Sequence, residues 1–99
     1  MKVLRSIQVR ASSAEAAIKH AKALAAYVNA HDASANTQVF IEVFGQGGTL
    51  YWLGDVESAG ALEQRENQRA ADPEWQALGR QGEALFVEGS LRTTLLRPV

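Results

Sequence analysis

Residues Gln38 to Asp55 read QVFIEVFGQGGTLYWLGD. Two runs rich in β-branched and aromatic side chains flank a glycine-rich link, the composition of two strands joined by a tight connection. Both runs are apolar at odd and at even positions. A sheet covered on one face only should alternate apolar and polar residues, so this hairpin demands cover on both sides. Val39, Ile41 and Val43 form one apolar row and suit a helix-covered side. Phe40, Glu42 and Phe44 form the other. On the next strand Tyr51 and Leu53 point one way, Leu50 and Trp52 the other.

The link itself, Gly45-Gln46-Gly47-Gly48, could cradle a phosphate through backbone N–H groups. A phosphate loop needs a following Lys and Ser/Thr and then a helix; here a strand follows and the Lys is missing. Glycine also supplies the positive φ that hairpin turns demand, and the hairpin reading is preferred.

The rest of the chain supplies partners for these strands. Lys2 to Arg10 alternates, with Val3, Ile7, Val9 and Arg5 on one side and Leu4 on the other, a period-two strand. Ser12 and Glu15 have the spacing of a capping box, opening a helix that runs to Asn29 or His31. Its buried stripe is expected to be Ala14, Ala17, Ile18, Ala21, Ala25 and Val28. Residues 58–71 and 73–87 read as two helical pieces, the second restarted by Pro73 behind an Asp72 cap. Leu62, Trp75, Leu78 and Leu85 are their expected anchors, with Gly89 as the stop. Ser90 to Arg97 completes a fourth strand. The order β-α-β-β-α-β predicts an α+β, ferredoxin-like fold: a four-stranded antiparallel sheet with its helices on one face.

Such a sheet keeps one face bare, and here that face would carry Phe40, Glu42 and Phe44, one of the two pairs Tyr51/Leu53 and Leu50/Trp52, and Leu4 and Leu96, an aromatic-rich set. Burying one Phe or Leu is worth about 1.5–3 kcal/mol. Several exposed together exceed what monomers usually tolerate. The economical cover is a second copy, and a two-fold homodimer packed sheet on sheet is expected.

Composition narrows the function classes. The chain has 99 residues and begins with Met, which leads to the expectation of one complete domain spanning residues 1–99. A net charge of -1 without a basic stripe argues against nucleic acid. The absence of cysteine removes disulfides, thiolate metal sites and cysteine nucleophiles. There is no signal-peptide pattern and no run near the roughly 18 apolar residues of a membrane helix, so a cytoplasmic location and no membrane partner are expected.

Candidate chemistry is sparse. His20 and His31 are eleven residues apart, not the i, i+4 spacing of a helical metal pair, so no metal is expected. Glu42 among aromatics could act as acid or base, or could pair with Arg5 or Arg92. Arg5 could hold an anion or serve in an ion pair. Trp52 and Trp75 could line a cleft, although core anchoring suits Trp75 better. The run Glu63 to Arg69, EQRENQR, reads as a solvated helix face.

ADPEWQALG at residues 71–79, TLLRP at residues 94–98 and the Leu4-Arg5 pair carry a family resemblance over nearly the full length. In these stretches the chain resembles the dimeric α+β barrel superfamily and, within it, NIPSNAP-like proteins. Val3 and Ile7 stand where acidic and Tyr residues are common in that family. The resemblance implies a ferredoxin-like protomer whose sheet pairs with another's. It embraces cofactor-free monooxygenases, lactone isomerases, haem-degrading enzymes and ligand-sensing modules. The haem-degrading members place a His in the second helical region, and residues 58–88 contain none. No cofactor is therefore expected. Two functions remain open. One is a dimer binding a small apolar or aromatic ligand near Arg5, Glu42, Tyr51 and Trp52. The other is a cofactor-free monooxygenase or isomerase for an aromatic or quinone-like substrate, with Glu42 or His20 moving protons.

Overall fold

A computed structural model describes residues 1–45 and 47–99; Gln46, within the expected turn, lies outside them. Strand β1 is Lys2–Gln8 and helix α1 Ala14–His31, followed by β2 Gln38–Ile41 and β3 Thr49–Asp55. Helices α2, Ala59–Ala70, and α3, Pro73–Gly82, then lead to β4, Arg92–Leu96. Two short 3₁₀ turns, Ala33–Ala35 and Glu83–Leu85, follow α1 and α3. The sheet order is β2-β3-β1-β4, antiparallel throughout. This is the expected α+β, ferredoxin-like plan.

Register assigns each side chain to a face. Arg5 pairs with Trp52 and Ile7 with Leu50, while Val39 also stands opposite Trp52. These side chains face the helices. The core joins Ala17 and Ala21 of α1 to Leu50 and Phe86, with Ile7, Val39 and Trp52 packed against it. The opposite face carries Leu4, Tyr51 and Leu53, with Phe40 47% and Leu96 43% exposed. The apolar second face anticipated from the hairpin is therefore present.

Local signals were realised unevenly. Asp72 caps α3 by accepting from Glu74 N at 2.9 Å, with Pro73 in the first turn, and Ser58 caps α2 by accepting from Ala61 N at 3.1 Å. In the hairpin link Gly45, Gly47 and Gly48 all take positive φ, so the turn reading holds for its described residues. The capping box does not form. Ser13, not Ser12, occupies the cap without a side-chain bond, because the chain enters α1 from a turn in which Ser13 N donates to the Arg10 carbonyl at 2.9 Å. Ala14 is consequently exposed, and Tyr27 rather than Val28 is buried at the far end of the stripe. Strand β2 stops at Ile41, so Val43 and Phe44 leave the sheet and are 89% and 96% exposed. The last helix ends at Gly82 rather than residue 87, since Phe86 turns extended and bridges to Val9. Gly89 lies in the turn beyond, at φ 77°.

Candidate functional site

Between sheet and helices lies a cavity of about 640 Å³, within the range of roughly 300–1,000 Å³ usual for small-molecule sites. β1 and β3 floor it with Arg5, Ile7 and Trp52; α1 walls it with His20 and Leu24. α2 and α3 roof it with Leu62, Arg65, Arg69 and Trp75. The Trp52 indole is held in place, its Nε1 donating to the Ala21 carbonyl at 3.0 Å and its ring meeting Phe86 edge-on at 6.5 Å.

His20 reaches the cavity because Gly82 has no side chain: a Cβ there would lie 2.2 Å from His20 Nε2. The imidazole also packs at 6.0 Å from the Phe86 ring. Burial disfavours its charged form and lowers its pKa below the usual histidine value. A neutral imidazole among aromatics can accept a proton or a hydrogen bond.

The polar end of the cavity is a group of three guanidinium side chains. Arg5 donates to Glu66 Oε1 at 2.5 Å. Arg65 donates to Asp32 Oδ2 at 2.9 Å and to the Asp55 carbonyl at 3.3 Å. Arg69, only 8% exposed, lies with its guanidinium carbon 5.1 Å from the centre of the Trp75 ring. Its Nη2 is buried and has no hydrogen-bond partner among the described residues. Burial lowers the Arg5 pKa, against the pull of Glu66. Burial, reinforced by Arg5 and Arg65, lowers that of Arg69 to about 10, which leaves it charged at neutral pH.

The reading of Glu63 to Arg69 as a solvated face holds for Glu63, Gln64, Glu66, Asn67 and Gln68, which are exposed, and is corrected at Arg65 and Arg69. Leu62, Arg65, Glu66 and Arg69 recur at i, i+3, i+4 and i+7 and form the side of α2 turned to the sheet. Leu62 alone on that side is apolar. The spacing itself was the available signal: a helix that must cover a sheet and carries arginines on its inward stripe places charge inside.

The candidate residues divide between the two faces. Arg5, Trp52 and His20 share the cavity. Tyr51 and Glu42 lie across the sheet, because Tyr51 neighbours Trp52 on one strand and strand side chains alternate. Tyr51 Oη donates to Glu42 Oε2 at 3.3 Å. Burial and the adjacent carboxylate raise the Tyr51 pKa. Glu42 folds back over the hairpin, its Oε1 2.1 Å from where a Cβ on Gly45 would stand. A Glu42–Arg5 pair is excluded by the same parity, and Arg5 takes Glu66 instead.

A second polar cluster ties α1 to α3. Tyr27 Oη donates to Asp72, and its ring stacks on His31 at 4.0 Å and meets Trp75 at 5.1 Å. His31 Nδ1 donates to the Tyr27 carbonyl at 2.8 Å, while its Nε2 stands 3.8 Å from Asp72. The bond to Asp72 raises the Tyr27 pKa to about 12 and holds the Asp72 carboxyl below its ordinary value. His31, Asp72 and Glu74 offer ligand atoms within 4.8 Å of one another. Asp72 is already engaged by Tyr27 and by the first turn of α3, and these contacts account for the cluster as a clasp between helices.

No family model matches the chain, and no curated protein matches it. Solved structures do. A NIPSNAP domain protein from Burkholderia xenovorans, described as uncharacterized, superposes with a TM-score of 0.82 at 17% identity, covering 100% of this chain and 95% of its own. A NIPSNAP family protein from Agrobacterium tumefaciens gives a TM-score of 0.83 at 17% identity, covering 99% and 84%. A structure described as an antibiotic biosynthesis monooxygenase gives 0.70 at 12% identity, covering 99% and 97%. At such identities the likeness establishes a shared fold. The resemblance to NIPSNAP-like proteins read from the sequence is matched by that fold along the whole chain. Among the described residues no helix is long and apolar enough to cross a membrane.

Proposed function

We propose that the protein binds a small aromatic or apolar molecule in the cavity between its sheet and its helices, and does so as a homodimer closed over the bare sheet face. The cavity of about 640 Å³, with Trp52 in its floor and Trp75 in its roof, carries this reading. Flat apolar walls and a few convergent polar groups are what small-molecule sites present. Of the residues first singled out as ligand contacts, Arg5 and Trp52 line that space. Tyr51 and Glu42 would then belong to the interface between the two copies.

Calorimetric titration with 2-naphthamide, a neutral bicyclic probe, tests the site. Saturable binding is expected, weakened at least tenfold by Trp52→Ala or Trp75→Ala. Full affinity in both variants would remove the cavity from the account. Sedimentation at low micromolar concentration tests the assembly: a dimer is expected for the wild type and a monomer for Leu53→Arg. A wild-type monomer would contradict the closure of that face.

His20 favours a second reading, proton transfer on a phenol-like or quinone-like substrate by a cofactor-free monooxygenase or isomerase. It is the cavity's imidazole and is neutral by virtue of burial. Wild-type turnover of a quinol that His20→Gln abolishes without changing affinity would establish this reading. Equal turnover in both would discard it.

A further inference from the structure

Arg5, Arg65 and Arg69 give one end of the cavity its charge. Arg5 is answered by Glu66 at 2.5 Å and Arg65 by Asp32 at 2.9 Å, each pair roughly neutral. Arg69 has no carboxylate partner among the described residues, its Nη2 is unbonded, and it lines the cavity while lying against the Trp75 ring. Glu66 acts on Arg69 only from beyond ion-pair distance, and its attraction is outweighed by burial and by Arg5 and Arg65. A buried charge so weakly countered is costly, and removing water from around it without replacing the lost hydrogen bonds adds to that cost. A ligand in the cavity that brings one negative charge supplies the missing counter-charge.

We propose that the cavity's ligand is an amphiphilic monoanion, an aromatic carboxylate or a group of like charge and size, whose acidic end is received by Arg69 between Arg5 and Arg65 and whose ring lies between Trp52 and Trp75. Guanidinium donors suit a carboxylate because they present paired N–H groups in its own plane. Since Arg5 and Arg65 keep their own carboxylates, the end of the cavity roofed by α2 offers one guanidinium without an ion-pair partner, which suits a single negative charge; Arg10, Glu83 and Glu88 also line the cavity. The assignment rests on the binding reading, deepening it from an apolar molecule to an acid.

The test compares 2-naphthoate with 2-naphthamide, nearly equal in shape and different in charge, by calorimetry on the full chain. The wild type is expected to bind the acid at least tenfold more tightly than the amide. Arg69→Met should bring the two affinities within about twofold of each other by weakening the acid alone. Arg80→Met, on the exposed side of α3, should leave the acid-to-amide ratio unchanged. Should Arg69→Met prove misfolded by circular dichroism, Arg69→Gln serves the same purpose, and the wild-type ratio needs no variant. Equal binding of acid and amide by the wild type would overturn the charge assignment and leave the cavity as a neutral site. Absence of binding by both would overturn the site as well. A ratio that survives loss of Arg69, or one that falls equally in Arg80→Met, would assign the preference to the protein's overall field and overturn the role of Arg69.

Discussion

Helices α1 and α2 cover the same face of one sheet and meet it in opposite ways. α1 turns Ala17, Ala21 and Ala25 inward, all buried, and comes close enough for Trp52 to bond directly to its backbone at Ala21. α2 turns Leu62, Arg65, Glu66 and Arg69 inward, and its bonds to the sheet run through long side chains, Glu66 to Arg5 and Arg65 to the Asp55 carbonyl. Short apolar side chains let backbones approach and pack to the density of a crystal. Long charged ones hold a helix off and leave room that their heads line. One stripe of residues thus makes a core and the other makes a site.

The contrast can be broken first on its packed side. Ala21→Leu would force a branched side chain between α1 and the sheet at a position with no exposed area. A loss of about 3 kcal/mol, the upper end usual for over-packing, is expected in urea unfolding. A loss below roughly 0.5 kcal/mol would mean that α1 can stand off as α2 does.

The clasp joining α1 to the roof comes next. Tyr27→Phe deletes the bond to Asp72 and should cost about 1 kcal/mol at neutral pH. Its pH dependence has a definite sign. The raised Tyr27 pKa stabilises the fold below the ordinary tyrosine value and is lost as pH climbs from there toward about 12. The lowered Asp72 pKa stabilises it above the ordinary carboxylate value and is lost as pH falls through the folded-state value. Wild-type stability should therefore drop at both extremes. Tyr27→Phe should abolish the alkaline drop attributable to this hydroxyl and soften the acid one, since Asp72 still accepts from Glu74 N. An unchanged alkaline limb would discard the clasp.

The smallest effect is expected on the hollow side, with its sign reversed. Arg69→Met removes a buried charge and its unbonded Nη2, at the cost of the contact with Trp75. Stability should be unchanged or rise by about 1 kcal/mol, because an uncompensated buried group costs more than one cation–π contact returns. A loss above about 2 kcal/mol would make Arg69 part of the core and bring α2 nearer to α1 in kind.

Much of the scaffold was legible before any coordinates. Period-two runs marked the strands, Asp72-Pro73 marked the restart of a helix, and the two-sided greasiness of Gln38 to Leu53 announced an apolar second face. The candidate site was legible only in pieces. Of the residues the sequence offers as ligand contacts, Arg5 and Trp52 line one cavity together with the candidate His20, whereas Tyr51 and Glu42 lie across the sheet. Adjacent positions on a strand point to opposite faces, so nearness in sequence there means separation in space. Arg65 and Arg69 went unrecognised because composition alone reads mixed charge on a helix as solvated.

The sequence by itself determined the order and kind of the elements, since those follow from periodicity and turn chemistry within a few residues of each position. Tertiary structure alone decided that α2 would turn its arginines inward, that Ser13 rather than Ser12 would cap α1, and that β2 would stop at Ile41. Those outcomes depend on which surfaces meet across tens of residues: Glu66 of α2 against Arg5 of β1, and Phe86 against Val9, contacts that no local pattern contains.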